Sequence, residues 1–256
     1  MSLTFASIRS RFRQFLSYAA NPPAARAVWR VFLVLALVDL TLVFVHGGAL
    51  VAEFMDLIPK VPDALSTFGD ASNAEHINYV KWLAVVILMG LVFRTTKAPI
   101  FLSMSLIFLL ILADDSLRLH ERGGEIVRTL WPDMPTFGLQ VHQAFEIVIW
   151  MLLGCLVLPL AGVGLLWTNS MWYPVAGYVG IGFLAAVFAG IGIDTAQVLY
   201  QGLPRGTLLH TINAGAGLIE GLGESLSASL SAAYSFGIWR VYGRDASRAA
   251  DDAAPL

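Results

Sequence analysis

The residues whose types and spacing could do chemistry in this chain are its carboxylates. In the run Asp114 to Glu121 (DDSLRLHE), a continuous helix at about 100° per residue sets Asp114, Arg118 and Glu121 on one face, with Asp115 adjacent and His120 pointing away. His142 and Glu146 stand at i,i+4 and share a face, as do Glu220 and Glu224, while Asp194 is followed on nearly the same face by Gln197 and Gln201. The acids Asp114, Asp115, Glu121, Glu146, Asp194, Glu220 and Glu224 thus face only Arg118, with Lys81 as a second cation. Like charges raise one another's pKa and desolvation adds to this, so such a set must hold protons or bind a cation.

Two chemistries fit. Carboxylates and imidazoles projected at i,i+3 or i,i+4 from several helices are how bundles build metal sites. On that basis Asp115, Glu121, His142, Glu146, Asp194, Glu220 and Glu224 are candidate ligands, with Asp114 and Arg118 orienting them from behind. An oxygen-rich set with one or two nitrogens suits a divalent metal ion such as iron, manganese, zinc, magnesium or calcium better than copper. A Glu-x-x-His pair on each of two helices, the mark of many di-iron bundles, is absent. The other chemistry is movement of protons or cations. Asn213, Glu220, Glu224, Ser227, Ser231 and Ser235 form a polar seam on one helical face, and Asp39, His46 and Glu53 recur at intervals of seven. Asp39, His46, Ser227 and Ser231 are then steps of a route through the membrane.

Plainer roles compete with these. The Ser and Gly residues around Gly217 and Gly221 have the small-x-x-x-small spacing of a helix-packing surface. Asp39 alone could be a hydrogen-bonded interior acid, His46, His76 and His210 lie near span ends, and His120 and Glu121 could simply be solvated. Trp131, Trp172 and Trp239 suit membrane interfaces.

The elements that must position these groups follow from composition. The chain has 256 residues, of which 57% are hydrophobic and 13% charged, with 16 Lys+Arg and 18 Asp+Glu giving a net charge of -2. Its mean hydropathy is +0.71. Soluble domains carry about 25% charged residues, so a soluble globular enzyme is excluded and the bilayer is the expected solvent. Apolar stretches at 29–50, 77–93, 99–119, 140–160, 174–199 and 208–239 are each long enough to cross about 30 Å of hydrocarbon as helix. None shows the two-residue alternation of a membrane barrel. The expectation is an all-α, polytopic membrane protein: one domain over 1–256, six transmembrane helices, and an amphipathic interfacial helix within 1–27 bearing Phe5, Ile8, Phe12, Phe15 and Leu16 beside Arg9, Arg11 and Arg13. The first apolar run lies too far from the start, without a small-residue cleavage site, to be a removed signal peptide.

Basic residues set the orientation. Arg9, Arg11, Arg13, Arg26, Arg30, Arg94, Lys97, Arg240, Arg244 and Arg248 fall on one side, against Lys60, Lys81, Arg118, Arg122, Arg128 and Arg205 on the other. Both termini are therefore expected in the cytoplasm, with loops at 51–75 and 122–138 outside. Cys155 is the single thiol, so there is no disulfide framework. No phosphate-binding loop, H-E-x-x-H or G-x-S-x-G occurs, and no nucleotide or nucleic-acid site is expected. The expected partners are the lipid bilayer and either protons or a metal ion. The functional expectation is a cation-binding carboxylate and histidine site in the outer half, serving a metal-dependent enzyme for a lipid or other apolar substrate. The alternatives are a proton or cation transporter or channel, and a structural subunit of a membrane complex.

Overall fold

The computed structural model describes residues 25–62, 72–135, 141–193 and 207–243. Among these the chain is all-α, with helices α1 (Ala25–Phe54), α2 (Asn73–Thr96), α3 (Pro99–Leu117), α4 (Leu119–Leu130), α5 (Val141–Leu166), α6 (Tyr173–Val187) and α7 (Thr207–Ile238). Short π-helical stretches extend α6 over Phe188–Ile193 and α7 over Trp239–Gly243. The expected interfacial helix within 1–27 lies almost wholly outside the described residues, as does Asp194.

Local chemistry sets the boundaries. The Ser72 hydroxyl accepts the Glu75 N–H at 3.3 Å and opens α2, with the Glu75 carboxylate in the first turn where the helix dipole favours it. Lys97 closes α2 in the left-handed region (φ 55°), donating its N–H to the Phe93 carbonyl, and Pro99 starts α3 two residues later. Proline tolerates a first helical turn but no interior, so the turn at 97–98 folds α2 and α3 into an antiparallel pair. At the far end of α5, Tyr173 donates its hydroxyl to the carbonyls of Leu165 and Thr168, while the Thr168 hydroxyl accepts the Ile100 N–H at 2.8 Å. One of the N–H groups left open at the start of α3 is satisfied by this bond.

Five helical segments are long and apolar enough to cross a membrane: Ala25–Phe54, Asn73–Thr96, Pro99–Leu117, Ala144–Leu166 and Ser170–Gly190. The sixth expected span, α7, is absent from this set because Ser and Gly dilute its apolar content. It sits at the centre instead, packed against α1, α2 and α6, while α3 packs on α2 and α5, and α4 on α5. The large apolar side chains of α1 and α5 turn outward: Leu33, Leu37, Phe44, Met151, Leu152 and Leu158 are exposed. The core between α2, α3, α6 and α7 is built on Trp82, Val85, Met89, Phe101, Phe108, Val179 and Ala228. An apolar outside around a core that contains Ser and charged groups is the arrangement the bilayer requires.

The third expected span and the loop after it need correcting. The helix does not run on through Glu121. It breaks at Arg118, which is left-handed (φ 51°, ψ 51°), and a separate helix α4 occupies much of the segment 122–138 that was expected to be loop. Pro99–Leu117 remains a span, and α4 turns back over the end of the bundle.

Candidate functional site

Polar and ionisable groups collect at two levels. The deeper one joins α1, α2 and α7. Asp39, midway along α1, and Lys81 of α2 form an ion pair with Nζ to Oδ1 at 2.5 Å, and their side chains are 0% and 3% exposed. The Lys81 ammonium also donates to Asn78 Oδ1 at 3.0 Å and to the Ser225 carbonyl at 3.3 Å. Its three donors are thereby used. The other Asp39 oxygen accepts the Ser229 hydroxyl at 2.6 Å, and the Asn78 amide donates to Ser225 Oγ at 3.1 Å. A charge placed within a membrane helix bundle is costly unless paired and hydrogen-bonded, and here both charges are.

The second level lies at the end of the bundle that carries α4. The break at Arg118 reverses the chain, so the Asp114 carboxylate, buried at 2% exposure, reaches forward to α4. It accepts the His120 backbone N–H at 2.9 Å and lies 3.1 Å from His120 Nδ1. The imidazole is stacked on Trp150 of α5, with ring centroids 4.9 Å apart. Its Nε2 is 4.0 Å from Glu121, and Arg118 donates to the other Glu121 oxygen at 3.4 Å. Burial lowers the His120 pKa, but the hydrogen bond to Asp114 and the charges of Asp114, Glu121 and Glu146 outweigh it, so the net shift is upward. Beside this, Tyr79 donates its hydroxyl to Glu75 one turn earlier on α2 and lies 3.0 Å from the Asp115 carbonyl. The second Glu75 oxygen is buried without a hydrogen-bond partner among the described residues.

Two glycines allow α4 to close on α5. A Cβ at Gly124 would come within 3.3 Å of the Glu146 side chain and backbone N, and one at Gly123 within 2.9 Å of Ile149. Of the residues singled out by sequence, Asp114, Asp115, Arg118, Glu121 and Glu146 therefore gather at this end. His142 is exposed. Glu220 and Glu224 are half-buried on α7, the latter against Gly190 of the π-helical stretch after α6. His46 is half-buried on α1. Among the described residues no three His, Cys, Asp or Glu side chains come close enough to share a metal ion.

The polar seam of α7 divides by face. Ser227 and Ser231 donate back to their own helix, to the Gly223 and Ser227 carbonyls at 2.6 and 2.9 Å. Ser231 lies against Gly182 of α6, where a Cβ would approach the Ser231 backbone N to 3.3 Å. Helix packing is the job these hydroxyls do here. A Cβ at Gly217, by contrast, would meet nothing within 4 Å. Ser225 and Ser229, which lie off the seam, are the α7 residues that bond to the buried pair.

Sequence reasoning missed His120, Glu75, Tyr79, Asn78 and Ser229. It placed His120 facing away because it carried one helical period across Arg118. The Asp39–Lys81 pairing did have a signal: Asp39 is an isolated charge deep in an apolar run, Lys81 lies about one turn inside the next, and their signs are opposite.

Fold and polar core together define a multi-pass, all-α integral membrane protein. The chain matches no protein-family model, and no curated protein or solved structure matches it.

Proposed function

We propose that this is a proton-handling membrane transporter or channel, with six spans counting α7 and both termini cytoplasmic. The α4 end then faces outward, as the distribution of basic residues suggests. The observation that carries this reading is the fully buried Asp39–Lys81 pair, held by three helices in the middle of an apolar bundle. Ionisable groups retained at that depth mark proton or ion pathways more often than they mark stability. At the outer end the His120 imidazole, a group that titrates near neutral pH, is hydrogen-bonded to Asp114, which suits proton exchange. Of the route residues, Asp39 bridges helices, whereas Ser227 and Ser231 are engaged within α7. Purified protein in vesicles with an internal pH dye should dissipate an imposed proton gradient, and Asp39→Asn should abolish that flux. Vesicles that hold the gradient equally with wild type and without protein would refute the reading.

A second reading has its own support. A carboxylate fixing His120 Nδ1 leaves Nε2 toward Glu121, which is how metal-binding imidazoles are commonly oriented. With His120 and Glu121 as ligands, in place of the wider set expected from sequence, a divalent metal ion would serve an enzyme acting on a lipid or other apolar substrate. Elemental analysis of purified protein decides it, since that reading requires stoichiometric metal. Absence of both flux and metal would leave the role of structural subunit.

A further inference from the structure

We propose that Asp39 and Lys81 form an intramembrane proton-exchange pair whose state decides whether α1 is tied to α2 and α7. The inference deepens the proton-handling reading by naming its carrier within the membrane and the element that the carrier moves.

The tie is asymmetric. Lys81 is held at home by Asn78 of its own helix and by the Ser225 carbonyl of α7, so it keeps two acceptors when Asp39 is lost. Asp39 has its carboxylate bonded across to α2 and α7. The buried residues of α1 are Ala27, Val28, Ala36, Asp39 and Ala49, with Leu35 partly buried against the core, so Asp39 is the one charged group among the buried residues of this helix. Apolar side chains gain nothing by leaving lipid tails for another apolar surface, which leaves polar bonds and close packing to hold α1 in place.

Transfer of one proton from Lys81 Nζ to Asp39 Oδ1 breaks one N–H bond and forms one O–H bond. Two opposite charges become a neutral amine and a neutral carboxyl, and the net charge is unchanged. The two groups are in direct hydrogen-bond contact, so the transfer needs no intermediary. A further proton from water on the amine leaves a charged Lys81 beside an uncharged Asp39, and the ionic attraction to α1 is gone. Release of the Asp39 proton restores the ion pair and closes the cycle. Asp39 is the charged group bonded to Lys81, and Asn78, Ser225 and Ser229 are its neutral neighbours; the other ionisable side chains on these helices include His46 of α1 and Glu220 and Glu224 of α7, all half-buried.

The test uses the full-length protein in lipid nanodiscs, read by infrared difference spectroscopy and amide hydrogen exchange at acid and alkaline pH. The expected result is a protonated-carboxyl C=O band that grows on acidification and is missing in Asp39→Asn. After correction for intrinsic pH dependence, amides at 36–42 of α1 should exchange about tenfold faster on the acid side. The apolar double variant Asp39→Leu/Lys81→Leu should assemble and lose that step. A band unchanged in Asp39→Asn, or an α1 step unchanged in the double variant, would overturn the proposal. If the double variant does not accumulate, Asp39→Asn carries both readouts. Protein that shows band and step but no flux in vesicles would support this inference and remove the transport reading, whereas flux without them would do the reverse.

Discussion

Replacing Lys81 by Met removes the ammonium and leaves the Asp39 carboxylate at 0% exposure with the Ser229 hydroxyl as its remaining described donor. Breaking a buried ion pair from one side costs about 3–5 kcal/mol, because the surviving charge has lost its counter-ion and is shut off from water. Losing a single neutral hydrogen bond within a membrane bundle costs much less, about 0.6 kcal/mol on average and roughly 1.7 at most. Four variants, Asp39→Leu alone among them, therefore separate the terms. Lys81→Met should destabilise by about 3–5 kcal/mol, and Ser229→Ala by about 1 kcal/mol. The double variant Asp39→Leu/Lys81→Met, with no charge left to desolvate, should cost far less than the sum of its single changes, giving a coupling of about 2–3 kcal/mol. Reversible unfolding in mixed micelles, followed by helical circular dichroism, measures all of these. A Lys81→Met cost below that of Ser229→Ala, or additivity within about 0.5 kcal/mol across the cycle, would refute the view that the two charges stabilise one another.

Three other outcomes follow from the packing and from the α4 end. Gly182→Val should force α6 away from Ser231 and cost about 1–3 kcal/mol in the same unfolding assay; an unchanged midpoint would show that the helices are not in close contact. Lys97→Gly should stabilise by about 1 kcal/mol, because Lys97 closes α2 at φ 55°, a conformation that glycine adopts without steric cost. His120 has its pKa raised in the folded protein, so its stabilisation is complete below its ordinary 6.5 and is lost as pH rises through the folded value. The stability difference between wild type and His120→Gln should accordingly shrink on alkalisation across that window, and a difference that ignores pH would contradict the Asp114–His120 geometry.

How much of this could be read from sequence depended on whether local rules applied. Hydropathy alone locates α1, α2, α3, α5 and α6 within a few residues, because a span must be apolar over a fixed length. It also locates α7, which runs Thr207–Ile238, although that helix is not among the five long and apolar enough to cross a membrane. Ser and Gly dilute its apolar content and it is largely enclosed, since only a helix hidden from lipid can carry Ser225, Ser229 and Ser235 at 0% exposure. The seam Ser227–Ser231–Ser235 was visible by period, but period cannot say whether a hydroxyl bonds to its own helix or across to another.

The two polar levels differ for a related reason. At the α4 end the acids were legible as a group, yet their arrangement turned on one dihedral pair. With Arg118 helical, His120 would point away from Asp114; with Arg118 at φ 51°, the same residues form a capped and stacked corner. Nothing in DDSLRLHE fixes that choice, because Arg is an ordinary helix former and only tertiary contact with α5 at Gly123 and Gly124 rewards the reversal. The deeper pair needed no dihedral at all. Two lone charges of opposite sign in neighbouring spans satisfy each other's desolvation only by meeting, and Asp39 is the one charged group among the buried residues of α1. Charge neutrality within hydrocarbon is therefore a stronger guide to side-chain contact in this chain than helical periodicity, and it points to Asp39 and Lys81 before any of the more numerous outer acids.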